Sequence, residues 1–404
     1  MKYLHVIRTM EPSFGGPCQG IRNLVPYFED YSKHVEVVCL DDPKSDYLSK
    51  ETIQIHALGK SFKPWGYHPA LRPWLKRNLP RFDVVILNGL WQYPGYVLSQ
   101  IAGRPNTPPY FVFPHGTLSA WFQRAPERRL KAIRNWFYWK LIEQKVVHRA
   151  EALLFTSEGE KRMARDTFRP YRPKREITVG YGVPPPPQYH PRMEEALRQK
   201  CPGLDGRPYL LFLGRIYPIK GIDLLIRAYA ANYHSPRATR HAPLPTLIIA
   251  GPGLDSPYGR KMQQLAADLC PPSSVLWPGM LNGDAKWGAI YSAETFVLTS
   301  HHESFGIAVV ESLACGIPVL ISNQVSICCE IESDKAGLVA DDTPAGAEQL
   351  LRCWEGLSLA DKTAMKLAAV ASYKKRFSMC EVATKVIHVI HILSDGRDKF
   401  MPVS

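Results

Sequence analysis

Ten short, almost wholly apolar runs, in two series of five, set the frame for any fold this chain can adopt. The first series is HVI near residue 5, VEVVCL at 35–40, DVVIL at 83–87, YFVF at 110–113 and ALLFTS at 152–157. The second is YLLFLG at 209–214, PTLIIAG at 245–251, SVLWPG at 274–279, TFVLTS at 295–300 and IPVLIS at 317–322. A run that is apolar at every position, not at alternate ones, suits a strand covered on both faces, and helical stretches lie between the runs. Strand and helix in alternation imply parallel sheets wrapped by helices. Between the series stand Pro184 to Pro187, which can hold neither a helix interior nor a central strand. The reading is therefore α/β with two doubly wound, Rossmann-like domains, residues 1–185 and 186–379. In such sheets ligands bind beyond the carboxyl ends of the strands, so a cleft where those ends face each other is expected.

Composition narrows the function classes. The formal net charge is +13, and all of it sits in residues 1–200, with 31 Lys and Arg against 18 Asp and Glu; the remainder balances at 19 against 19. A basic first domain attracts phosphate-bearing or membrane-associated partners. No apolar run approaches the roughly 18 residues of a membrane span. The opening MKYLHVIRTM reads as a first strand and not as a signal peptide, which points to a cytoplasmic protein. Nine cysteines without CxxC spacing argue against a disulfide framework or a structural zinc site, and predict reduced, mostly buried thiols.

Chemistry concentrates after certain strands. In 301–319, HHESFGIAVVESLACGIPV, a loop carrying Glu303 leads through Phe305, Gly306 and Ile307 into a helix of about nine residues bearing Glu311. A helix start offers unpaired N–H groups and a positive dipole end to a diphosphate. Glu303 and Glu311 can then bind hydroxyls on either side of that diphosphate. In 212–221, FLGRIYPIKG, Arg215 and Lys220 can converge on one dianion, the first as a fork and the second as a point charge. Gly15 and Gly16, following the first strand, let backbone N–H groups approach a phosphate. Gly251-Pro252-Gly253 is not GxGxxG and is not a dinucleotide fingerprint. His115, in PHGT just past YFVF, is placed to hydrogen-bond a sugar or an acceptor hydroxyl. No Asp-x-Asp occurs, and Arg215 and Lys220 can do the work of Mg²⁺, so no metal or other cofactor is expected.

These segments resemble the retaining glycosyltransferases of family 4. The E-x7-E pair Glu303 and Glu311, the FG and AcGiPV that accompany it, and GR-x4-KG at 214–221 carry the likeness. It is strong over 205–340 and looser over 1–180. The resemblance implies the GT-B fold, a nucleotide-diphosphate sugar as donor, and a C-terminal helix, about 380–404, that returns to the first domain. It implies that Glu303 contacts the transferred sugar and Glu311 the ribose. Amides around Phe305, Gly306 and Ile307 would meet sugar and phosphate, while Arg215 and Lys220 stabilise the departing diphosphate. Gly15 and Gly16 would reach the donor. PHG with Ala120-Trp121 is similar to the acceptor domain of relatives that build bacterial exopolysaccharide, capsule or lipopolysaccharide, where Asn88, Trp91 and His115 would bind a glycan or lipid-linked acceptor. Asn88 stands where that group often has histidine, and Gly180-Tyr181 where relatives tend to read PN. Retention in the family is ascribed to same-face attack with the leaving phosphate as base.

Arg124 to Arg149 carries eight basic residues against Glu127 and Glu143. Leu130, Ile133, Phe137 and Leu141 recur at helical spacing, with Trp136, Tyr138 and Trp139 between. Two readings stay open here, an amphipathic helix with a core face and a solvated face, or docking to an anionic membrane surface. Nucleic acid is not expected, because no binding module accompanies the charge. Alternatives to transfer are another GT-B enzyme, an epimerase or phosphorylase, or a non-catalytic sugar-nucleotide-binding protein. Nucleobase contacts are expected from backbone near Met280-Leu281, which leaves no side-chain signature.

Overall fold

The structure, a computed structural model, describes residues 1–404 except 32, 63, 105, 120–128, 205, 234–244 and 395–404. The apolar runs are strands, and their alternate residues build two separate cores. In β1 (Lys2–Val6), Leu4 and Val6 enter the core on one face of the sheet while Tyr3 enters the core on the other. In β4 (Val84–Asn88), Val85 and Leu87 go one way, Val84 and Ile86 the other. That is the period-two alternation of a strand covered on both sides.

The chain forms two units, Met1–Gly182 with Met379–Ser404, and Val183–Ser378. The first holds a seven-stranded sheet in the order β3-β2-β1-β4-β5-β6-β7. Its other strands are β2 (His34–Cys39), β3 (Gln54–Ala57), β5 (Tyr110–Phe113), β6 (Ala152–Phe155) and β7 (Glu176–Thr178). The second holds a six-stranded sheet, β10-β9-β8-β11-β12-β13. These are β8 (Tyr209–Leu213), β9 (Thr246–Ala250), β10 (Val275–Gly279), β11 (Thr295–Leu298), β12 (Val319–Ser322) and β13 (Gly337–Ala340). Every pairing within the two sheets is parallel. Both units are Rossmann-like, as the alternation of runs predicts.

In each sheet the order reverses at the first strand, between β1 and β4 and between β8 and β11. Such a switch point opens a crevice beyond the strand ends, and the loops after β1, β8 and β11, which carry Gly15, Arg215 and Glu303, leave from there, as does the chain after Asn88 at the end of β4, while His115 follows the next strand, β5. After Ser378 the helix Met379–Ser394 packs in the first unit, where Val382, Ala383, Val386 and Ile390 are buried beside Tyr3, Ile21 and Phe28.

The basic stretch departs from the first of its two readings. Of that segment, residues 124–128 lie outside the described residues, as do Ala120 and Trp121. From Arg129 to Tyr138 it is α-helical, then π-helical over Trp139–Glu143. The side facing the core is set by Trp139, fully buried and stacked on Phe168 at 4.8 Å. Ile133, Phe137 and Leu141, expected to line a core face, are instead exposed.

Among the described residues no cysteine is in a disulfide; of the nine, four are buried, three half-buried, and Cys353 and Cys380 exposed.

Candidate active site

In the second unit, β8 and β11 are adjacent parallel strands, so the loops that follow them leave the sheet at the same edge. Three contacts lace those loops together. The His301 N–H donates to the Ile219 carbonyl at 2.9 Å, the Thr299 hydroxyl donates to the Gly221 carbonyl at 2.8 Å, and Lys220 Nζ donates to Glu303 Oε2. Gly221 permits this closeness: its φ is +60°, and a Cβ there would lie 2.0 Å from the Thr299 carbonyl oxygen. Only glycine fits both the left-handed backbone and the approach. Gly251 plays the same part between β8 and β9, since a Cβ on it would lie 1.8 Å from the Gly214 carbonyl. Arg215 emerges from the stitched edge exposed to solvent.

Glu303 is anchored by its backbone, its N–H donating to Gln324 at 3.1 Å and its carbonyl accepting from Ser326 at 3.0 Å. Its carboxylate, paired with Lys220, is thereby fixed just ahead of the helix Ile307–Ala314. Gly306 caps that helix in the left-handed region, φ +91°, and no side chain caps its free N–H groups. Phe305 is buried with its ring edge-on to Phe377, so only its backbone can serve a ligand, whereas Ile307 is exposed. His302 is buried, and desolvation lowers its pKa below the ordinary imidazole value. Within the helix, Glu311 Oε1 accepts from Lys286 Nζ at 2.6 Å. Lys286, on helix Gly283–Tyr291, carries no sequence signature, because nothing in its neighbours forms a motif. Beyond β10, Met280 is exposed and Leu281 buried.

The first unit gathers a second group. Gly15, at φ +78°, precedes helix Gly16–Asp30, and a Cβ on Gly15 or Gly16 would meet no protein atom within 4 Å. At the end of β4 the buried Asn88 donates from Nδ2 to His5 Nδ1 at 3.1 Å, and its Oδ1 lies 3.4 Å from His115 Nε2. Burial pushes the pKa of His115 down to about 4 and that of His5 to about 3, so both rings are neutral near pH 7. The turn bearing His115, itself at φ +51°, is held by Glu160. That buried carboxylate accepts from the Gly116 N–H at 2.6 Å and from the Thr156 N–H at 2.7 Å. Trp91 turns inward: its indole N–H donates to the Thr117 carbonyl at 3.0 Å, and its ring packs on Phe168 at 5.0 Å. Asn88 and Trp91 thus shape the turn carrying His115. Glu160 and His5, which support it, have no sequence signature beyond their residue types.

Comparison with known proteins agrees with both halves. Residues 15–182 match the family "Glycosyl transferase 4-like domain", and residues 193–365 the family "Glycosyl transferases group 1". A D-inositol 3-phosphate glycosyltransferase of Acidothermus cellulolyticus is 32% identical over 133 residues, covering 33% of this chain and 30% of that protein. The chain spans about a third of the length of the first curated relatives it matches. Among solved structures, a glycosyltransferase from Rickettsia africae superposes with a TM-score of 0.74 at 14% identity, covering 98% of this chain and 99% of the other. Anabaena HepE, solved with UDP and glucose, gives 0.70 at 19% identity, covering 97% and 99%. Those two likenesses establish the GT-B fold.

Proposed function

From a chain whose halves carry a glycosyl transferase 4-like domain and a glycosyl transferases group 1 domain, we propose a retaining glycosyltransferase that moves a sugar from a nucleotide-diphosphate donor to a glycan or lipid-linked acceptor. The pathway class we assign is synthesis of bacterial exopolysaccharide, capsule or lipopolysaccharide. The observation that carries the reading is the Lys220–Glu303 pair, which brings a cation and an acid from two loops to the front of one uncapped helix, with Arg215 leaving from the same strand as Lys220.

Charge develops on the leaving diphosphate in the transition state, so fixed donors aimed at it do most of the catalysis. Arg215 and Lys220 supply two positive charges, and the amides of Gly306 and Ile307 supply aligned dipoles. With Lys220 engaged by phosphate, Glu303 is freed to accept from hydroxyls of the transferred sugar, and Glu311 accepts from the ribose. The reading calls on no metal. In the first unit, Gly15 and Gly16 leave room for a ligand at backbone distance. His115, neutral and held by Asn88, offers a hydrogen bond to the sugar or the acceptor. Anabaena HepE was solved with UDP, which puts uridine first in the trial order.

The test is a titration of the full-length protein with UDP, GDP and ADP, then with their sugars, followed by diphosphate release with and without acceptor. One nucleotide should bind, and Lys220→Ala should weaken it about tenfold to a hundredfold, the scale of a lost charged hydrogen bond. Glu303→Ala should keep nucleotide affinity and lose transfer. Binding of no nucleotide diphosphate, or normal transfer by Glu303→Ala, overturns the proposal; release independent of acceptor points to the epimerase or hydrolytic class.

A further inference from the structure

The helical segment 129–143 of the first unit has apolar side chains on both sides, and only one side is needed for folding. Trp139 buries itself completely in the core. On the opposite side Ile133, Trp136, Phe137 and Leu141 are 58%, 49%, 55% and 67% exposed. At 100° per residue Ile133, Trp136 and Phe137 of the α-helical part fall on one stripe, and Leu141 follows one turn on in the π-helical part. Scattered exposed apolar residues need no explanation, but four large ones in nine positions on one stripe do.

The charge beside the stripe has one sign. Lys131, Arg134 and Lys145 are exposed, and Lys140 lies 5.6 Å over the Trp136 ring. The acid of the described segment, Glu143, is buried and withdrawn from the surface. All of the chain's net positive charge also belongs to its first half. A tryptophan and aliphatic residues flanked by Lys and Arg are the composition of a helix that lies in the boundary layer of a bilayer, with its rings at headgroup level. The segment is too short to span, and no helix among the described residues is long and apolar enough to cross a membrane.

We infer that residues 131–145 form an in-plane docking surface for an anionic phospholipid bilayer, with Ile133, Trp136, Phe137 and Leu141 inserted at the acyl boundary and the neighbouring bases on the headgroups. The inference does not depend on the transfer reading. Its consequence for that reading is geometric, because the same unit carries His115 and would meet a lipid-linked acceptor at the surface where it resides.

The test uses full-length protein and sedimentation with vesicles of phosphatidylcholine alone or with about a third phosphatidylglycerol. Binding is expected to the anionic vesicles, falling about tenfold or more at high salt as headgroup attraction is screened. Phe137→Ser with Leu141→Ser, and separately Lys131→Glu with Arg134→Glu, should each lower binding at least about tenfold with an unchanged melting temperature. Both variants should bind nucleotide diphosphate like the parent, so failure of this proposal is separable from failure of the enzymatic one. Absence of binding to anionic vesicles, or equal binding by the variants, overturns it. A concentration-dependent dimer that Phe137→Ser with Leu141→Ser dissolves would also overturn it, by assigning the stripe to a second copy of the chain.

Discussion

Lys286 holds one of the two acids of the candidate site from a different helix. Its ammonium lies 2.6 Å from one oxygen of Glu311 and 4.7 Å above the Trp287 ring, so the carboxylate is held from one side; in the proposed function its other oxygen would take the ribose hydroxyl. Lys286→Met removes the positive charge while keeping most of the stem. Because the pair is partly exposed, stability should fall by no more than about 1 kcal/mol. The expected kinetic signature is a KM for the donor raised about tenfold with kcat changed less than about threefold, since ribose contact is uniform binding and not transition-state binding. Equal falls in kcat and kcat/KM would instead place Lys286 at the reacting centre. Glu303 and Glu311 could be read from the sequence because both belong to one loop and helix, where spacing along the chain is spacing in space. Lys286 could not, being 25 positions away on another helix, and Glu160 is similarly remote from the Gly116 it holds. Tertiary partnership of this kind has no period and no motif. Trp91 illustrates the converse, a residue whose motif suggests a ligand and whose ring and indole N–H are given to packing.

At the scale of elements, the central strands were legible and three outer ones were not. β3, β7 and β13 are absent from the ten runs, and all three are edge strands. An edge strand needs no continuous apolar run because part of its surface stays wet, and β3 and β7 are indeed half-buried along nearly all their length. The π-helical turn Trp139–Glu143 was equally silent in the sequence, yet it decides the state of an acid. Glu143 Oε1 accepts from the Trp91 N–H at 2.8 Å and Oε2 has no hydrogen-bond partner among the described residues, so burial raises its pKa from 4.5 to about 8. A carboxyl raised in this way binds its proton more tightly folded than unfolded, and its contribution is fully present below 4.5 and lost as pH rises through about 8. His5 and His115 act in the other direction: their lowered pKa values give stability that is present above 6.5 and is lost as pH falls toward about 4 and about 3. Glu143→Gln keeps the acceptor for Trp91 and abolishes the titration. Denaturation midpoints measured across this range should fall at the acid end for both proteins, but only the parent should also decline from about pH 5 to pH 8. Parallel curves for the two proteins would mean that Glu143 is charged in the folded state.

At the scale of the whole molecule, the two units have separate sheets and separate cores, and the chain enters the first unit twice. The second entry is the helix Met379–Ser394, whose Val386 is completely buried among residues of β1, β2 and the helix Gly16–Asp30. The first unit therefore cannot complete its core until the last described helix has been made, although its sheet is finished by Thr178. An aspartate at 386 would place an unpaired charge in that core, a change that costs more than about 4 kcal/mol. If the units melt independently, calorimetry should resolve two transitions, because each has its own core and size sufficient to fold. Nucleotide diphosphate should raise the transition of the second unit alone, by mass action on the state that binds it. Val386→Asp should depress or abolish the transition of the first unit and leave the nucleotide-sensitive one in place. One transition that shifts as a whole with both the nucleotide and the substitution would show instead that the returning helix makes the two units a single cooperative body, and the separate cores would then no longer predict separate stabilities.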